Sequence, residues 1–173
     1  ILSLLFCVAM LVAACHDDEE GPIIPQPREQ VGRTVLVYIV GDNGVNELSD
    51  LFKTNFEDMK EGMNAVDYSK CNLVVYSEMV NDVPRLVSLK KQNGKVVADT
   101  LFTYSEQNPL AKEVMSSVIS QTVSYFPADS YGFVFLSHSS SWVPASNNAN
   151  SRSIGYYRRT QMNIPDFREA LSS

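Results

Sequence analysis

The chain is poor in the residues that most often carry chemistry. Its 173 residues include two histidines, three cysteines and one tryptophan. His16, Cys7 and Cys15 all fall within the first 16 positions, so the remainder holds only His138 and Cys71. That is too little for a zinc centre of His and Cys ligands, and it leaves no pair for an intramolecular disulfide. There is no His-Glu-x-x-His, no phosphate-loop motif and no Gly-x-Ser-x-Gly elbow. The sequence therefore implies no metal and no organic cofactor. Positive charge is also scarce: 14 Lys and Arg stand against 20 Asp and Glu, a net of −6, which disfavours non-specific nucleic acid binding. No apolar run is long enough to cross a bilayer. The stretch Ile1 to Ala14 would reach about 21 Å as a helix, short of a ~30 Å hydrocarbon core. At 45% hydrophobic and 20% charged, the composition excludes a mostly disordered or collagen-like chain. The length suits one compact core.

What the chain does have begins at that uncharged segment. Ile1 to Ala14 reads as the apolar core of a signal peptide, and Val12-Ala13-Ala14-Cys15 resembles the lipobox of bacterial lipoproteins. The resemblance implies cleavage before Cys15 and a diacylglycerol on its thiol. Asp17, Asp18, Glu19 and Glu20 then contribute −4 of the net −6. Such a run is a solvated spacer or, by similarity, the acidic export tag of some Gram-negative surface lipoproteins. Pro22, Pro25 and Pro27 make the next residues a stiff tether. The expected organisation is a signal peptide over 1–14, a lipid-anchored acidic and Pro-rich tether over 15–30, and a folded part over 31–173. The expected location is the bacterial cell envelope, as an outer-membrane lipoprotein that can face the cell surface. A chain starting at Ile1 and stopping in what reads as an unfinished helix is expected to be a fragment.

The folded part alternates between two periods. Thr34 to Val40 is a continuous β-branched and aromatic run ending in Gly41-Asp42-Asn43-Gly44, which reads as a strand buried on both faces. Leu48, Phe52, Phe56, Met59 and Met63 recur at helical spacing and predict an amphipathic helix stopping near Gly62. Asn72 to Ser77 is a second strand. Arg85–Lys90 and Val96–Leu101 flank Asn93-Gly94, a hairpin signal. Asn108-Pro109 predicts a helix start, with Asn as cap and Pro in the first turn, and Leu110, Val114, Met115, Val118, Ile119 and Val123 as the buried face. Tyr131 to Leu136 is another apolar strand. A polar loop follows over Ser146 to Arg152, and Ile164 to Leu171 opens a helix with Phe167 and Leu171 four apart. Helices between apolar strands predict an α/β sandwich with a mainly parallel sheet.

In such sheets reactive groups gather at the carboxyl ends of the strands. Two loops lie there: Gly41-Asp42-Asn43-Gly44, and Ser137-His138-Ser139-Ser140-Ser141-Trp142. His138 stands where a catalytic base is placed, or where a hydrogen-bonded structural histidine sits. Asp42 either orients a partner group or caps the following helix.

Residues Arg33 to Asn43 resemble the opening strand and Asp-Asn turn of clostripain-like cysteine peptidases. Pro127 to Trp142 is similar to that family's stretch around its histidine: Pro-Ala, a Tyr entering the strand, an apolar run, a polar residue, His, and Trp four later. Ile164-Pro165, Phe167 and Ala170-Leu171 resemble the helix that follows. The likeness spans roughly Arg33 to the end. It implies a caspase-like three-layer sandwich, mainly parallel with a β-hairpin and incomplete at the C-terminus. It also implies a His/Cys dyad acting on a protein or peptide substrate, often after basic residues. His138 becomes the histidine of that dyad, Ser139 N–H an oxyanion donor, and Asp42, Asn43 and Trp142 residues of the active-site loops.

Two departures accompany the likeness. Ser139 and Ser141 stand where the family commonly has Gly, the residue that tolerates positive φ. The family's nucleophilic Cys is also missing, because it lies after the strand that would follow residue 173. Cys71 does not replace it: it starts its strand, whereas His138 follows the end of its own. Parallel strands of six residues put those ends about 20 Å apart. The fragment is therefore expected to be inactive by itself. A catalytically inactive caspase-like domain used for binding is the other expectation.

Overall fold

A computed structural model describes residues 25–44, 46–139 and 153–172. Cys15, the Ser140-Ser141-Trp142 segment and the Asn-rich loop lie outside them.

β1 (Val31–Val40) lies next to the last strand in a five-stranded sheet ordered β4-β3-β2-β1-β5. β2 (Cys71–Glu78) and β5 (Ala128–Ser137) flank it in parallel, while β3 (Arg85–Gln92) and β4 (Lys95–Thr103) continue the sheet antiparallel. The sheet is thus mixed, with its parallel part gathered around β1. Gln92 pairs directly with Lys95, so Asn93 and Gly94 alone make the hairpin turn, with φ of 50° and 80°. Only residues tolerant of positive φ fit that turn.

α1 (Asn46–Gly62) crosses from β1 to β2, and its Leu48, Phe52, Phe56 and Met59 pack on Val37, Ile39, Val75 and Val87. α2 (Lys112–Tyr125) and α3 (Ile164–Ser172) cover the other face, where Met115, Val118 and Ala170 meet Leu36, Tyr38, Val74 and Tyr76. Alternate residues of β1 therefore feed opposite cores, as its uninterrupted apolar run predicts. Three layers result, and the fold is the caspase-like α/β sandwich expected from the sequence.

Some details differ from expectation. α2 begins at Lys112 with Ala111 as its cap, not at Asn108. Asn108 Oδ1 instead accepts the Leu110 N–H at 3.0 Å, its carbonyl accepts the Ala111 N–H, and the Pro109 carbonyl accepts Tyr38 Oη at 2.8 Å. These bonds close a turn ahead of the helix. The fully buried face of α2 is Met115, Val118 and Thr122, and Val123 faces solvent. In α3, Ala170 is the buried residue and Leu171 is exposed. A hairpin was not anticipated at all: β6 (Ser153–Tyr157) and β7 (Thr160–Asn163) form a separate two-stranded sheet ahead of α3.

The chain enters the fold beside the end of α2. Arg28 N–H donates to the Tyr125 carbonyl at 2.9 Å, and the Arg28 guanidinium lies 4.8 Å from the Phe126 ring centre.

Candidate functional site

The parallel register aligns three strand ends. Val40 pairs with Glu78 on one side and Ser137 on the other, so the segments after β1, β2 and β5 leave the sheet at one level. The sequence-predicted Asp42, Asn43, His138 and Ser139 are thereby placed on one edge.

Gly41 makes the first loop possible. Its N–H donates to the Glu78 carbonyl at 2.7 Å, and a Cβ there would lie 2.7 Å from Met79 Sδ and 3.3 Å from that carbonyl oxygen. Ser49, near the start of α1, donates to the Gly41 carbonyl and accepts the Val80 N–H, each at 3.0 Å. One hydroxyl thus ties the loops after β1 and β2 together. Asn43 N–H turns back to the Gly41 carbonyl at 3.2 Å.

Asp42 is 5% exposed, and each of its oxygens is used. Oδ1 accepts the Gly44 N–H at 3.1 Å, ahead of the first residue of α1. Oδ2 accepts Arg158 Nε at 2.8 Å, and the Asp42 carbonyl accepts the Arg158 N–H at 2.9 Å. Arg158 also reaches Glu106 through Nη1. Those bonds to Asp42 and Glu106 raise the guanidinium pKa further. The aspartate therefore anchors the β6–β7 turn while closing its own local turn.

Glu78 ends β2 with 2% of its surface exposed, and its Oε2 has no hydrogen-bond partner. Burial, and then the negative charge of Asp42, push its carboxyl up to about 7, against the opposing pull of Arg158. It lines a cleft of about 440 Å³ whose wall includes Tyr104, Glu106 and Arg158.

His138 is exposed on the far side of β1 from Glu78. Its ring meets that of Tyr156 edge to face, with centroids 5.4 Å apart and planes at 61°. Ser137 Oγ accepts the Tyr156 N–H at 3.2 Å and lies 3.4 Å from the Tyr156 carbonyl. Ser139, also exposed, follows directly. Cys71 pairs with Arg33, seven residues along β1 from the level of Ser137, which is about 23 Å at ~3.3 Å per residue. Its thiol faces the Asp67 carbonyl at 3.6 Å, so it takes no part in this edge.

Sequence reasoning did not single out Glu78, Glu106, Tyr156 or Arg158. The charged residue closing the apolar run at Glu78 was a readable signal. So was the alternation through Ile154-Gly155-Tyr156-Tyr157, although its Arg-Arg turn lacks the usual Gly or Asn. Among the described residues no group of three or more His, Cys, Asp or Glu is arranged to hold a metal ion. Among the same residues no helix is long and apolar enough to cross a membrane.

Residues 37–173 match the model of the clostripain family. Among solved structures, a secreted cysteine protease from Bacteroides thetaiotaomicron, bound to an irreversible peptide inhibitor, is 42% identical with a TM-score of 0.68. That match covers 82% of this chain and 39% of the protease. A cysteine protease from B. fragilis is also 42% identical, with a TM-score of 0.60, over 70% of this chain and 98% of its own. An inactive zymogen protease from Parabacteroides distasonis is 34% identical, with a TM-score of 0.61, over 68% of this chain and 34% of its own. Among curated proteins none matches. The chain thus spans about two fifths of the length of the first structure it resembles.

Proposed function

Because this chain belongs to the clostripain family, we propose that it forms the histidine-bearing part of a cysteine endopeptidase. The observation that carries this reading is the position of His138. It is an exposed imidazole at the carboxyl end of β5, level with the Gly41–Asp42 loop, in a chain 42% identical to a secreted cysteine protease.

In this reading the thiol comes from a segment following residue 173. His138 takes the thiol proton, and the thiolate sulfur attacks the substrate carbonyl carbon. The Ser139 N–H donates to the oxygen that gains charge. His138 returns the proton to the amine nitrogen as the C–N bond breaks, leaving a thioester on the enzyme. Water then attacks the thioester carbon, giving up a proton to His138, and the C–S bond breaks as His138 passes that proton to the departing sulfur. Asp42, Asn43 and Trp142 belong to the surrounding loops. The family resemblance supports a preference for basic side chains before the cleaved bond. The apolar leader and Cys15 support attachment by lipid to the outer membrane, with the tether carrying the domain toward the cell surface.

The test uses the full-length protein. It should cleave basic peptide substrates and form a covalent adduct with a thiol-directed peptide inhibitor. His138→Ala should lower kcat by at least about a thousandfold while leaving the melting temperature in place. Undiminished cleavage by His138→Ala would overturn the assignment. Replacing Cys15 by Ser should move the protein out of the membrane fraction, and unchanged partitioning would refute lipidation there. The serines at 139 and 141 favour a second reading, a binding scaffold without turnover. An intact, folded full-length protein that neither cleaves nor labels would establish it.

A further inference from the structure

We propose that Tyr156 is a positioning residue for His138, holding the imidazole at the orientation in which it exchanges a proton with the thiol. The inference rests on the peptidase reading of His138 and adds a residue to it.

Among the described residues, His138 follows the last residue of the outermost strand, β5, and is exposed. An imidazole in that setting turns freely about two side-chain bonds unless something meets its ring. Tyr156 supplies that contact from 18 positions away in sequence, edge to face at 5.4 Å.

What makes the contact more than incidental is how firmly Tyr156 itself is placed. Ser137, the residue before His138, holds the Tyr156 backbone through its hydroxyl, accepting the N–H at 3.2 Å and lying 3.4 Å from the carbonyl. Neighbouring residues 137 and 138 thus grip the main chain and the ring of the same partner. On one side of Tyr156, Gly155 lies so close to β5 that a Cβ would fall 2.8 Å from Phe135 Cζ and 2.9 Å from Leu110 Cδ2. On the other side, buried Tyr157 leads to Arg158, whose N–H is bound by the Asp42 carbonyl at 2.9 Å. Tyr156 is therefore fixed against β5 and β1 together, the two strands whose ends carry the candidate site. The ring makes the contact with His138, so Phe is the conservative replacement and an aliphatic residue the disruptive one.

The experiment compares full-length protein carrying Tyr156→Phe, Tyr156→Leu or His138→Ala with the parent. Turnover of a peptide substrate is measured, together with carbethoxylation of His138 by diethyl pyrocarbonate, read by mass spectrometry on the peptide that contains it. Tyr156→Leu should lower kcat roughly three- to tenfold with KM within twofold. The same variant should speed His138 modification by a similar factor. Tyr156→Phe should stay within twofold of the parent in both readouts. If Tyr156→Leu leaves both unchanged, or Tyr156→Phe falls as far as Tyr156→Leu, the proposal is overturned. His138→Ala separates the two readings: full activity there removes the dyad histidine. The modification rate still reports whether Tyr156 restrains the ring.

Discussion

Arg158 binds Asp42 twice, through its backbone N–H to the carbonyl at 2.9 Å and through Nε to the carboxylate at 2.8 Å. The arginine does this from a left-handed conformation, φ 51°, that side chains other than Gly enter at a cost. The two residues stand 116 positions apart and lock the β6–β7 turn onto the loop after β1.

Arg158→Ala should therefore melt a few degrees below the parent, because it keeps the unfavourable conformation and strands a buried carboxylate. Arg158→Gly should fall between the two, since it loses the clamp but relaxes the backbone. Arg159→Ala, one residue on and exposed, should melt with the parent. Thermal unfolding of the three variants checks the order.

Glu78 predicts a pH dependence with a definite sign. Burial first, then Asp42 from the β1 loop, Glu106 before α2 and Asp82 before β3, hold its carboxyl pKa up, while Arg158 from the β6–β7 turn lowers it. Below about 4.5 both folded and unfolded chains carry the proton, and nothing is lost. Between there and about 7 the unfolded chain releases it while the folded one keeps it, so stability falls as pH rises. The loss levels off above that range at about 2 kcal/mol, once solvent reaching the neighbouring cleft is discounted. Glu78→Gln should flatten this slope. Melting temperature against pH for both proteins is the measurement, and parallel curves would contradict the prediction.

Gly155→Ala should cost about 1–3 kcal/mol, because its new methyl meets the rigid edge of Phe135. Gly155→Ala combined with Phe135→Leu should recover part of the loss. Urea unfolding of the single and double variants reads both.

Cys71→Ser should leave turnover of the full-length protein within twofold of the parent, since the register holds this thiol at the opposite end of the sheet from His138. It should remove one site of alkylation in the unfolded protein. Peptide mapping after iodoacetamide treatment follows the second effect, and a large drop in kcat would refute the first.

Much of the fold was legible because burial leaves a period in the sequence. The run Thr34 to Val40 announced a strand covered on both faces, and the Phe and Met stripe of α1 announced its core side. Strand direction alone put His138 and the Gly41–Asp42 loop at the same end of the sheet, and the β1–β5 pairing makes them neighbours. What stayed hidden depends on contacts between distant segments. Nothing local shows that the Pro109 carbonyl is taken by Tyr38, the bond that helps hold Asn108-Pro109 in a turn outside α2. Nor does any local pattern reveal that Arg158 seats on Asp42, or that Glu78 is enclosed by charges from four other segments. The β6–β7 hairpin escaped for another reason: its turn uses Arg158 at positive φ, where turn chemistry leads one to look for Gly or Asn.

The entry of the chain at Arg28 gives the molecule a direction. Arg28 docks at the end of α2, beside the start of β1, and ten residues of strand then run to Val40 and the edge that bears His138. A ten-residue strand is about 30 Å long. Arg28 and the exposed histidine therefore sit near opposite ends of the sheet. Whatever approaches His138 thus does so at the carboxyl ends of the parallel strands, the end away from Arg28.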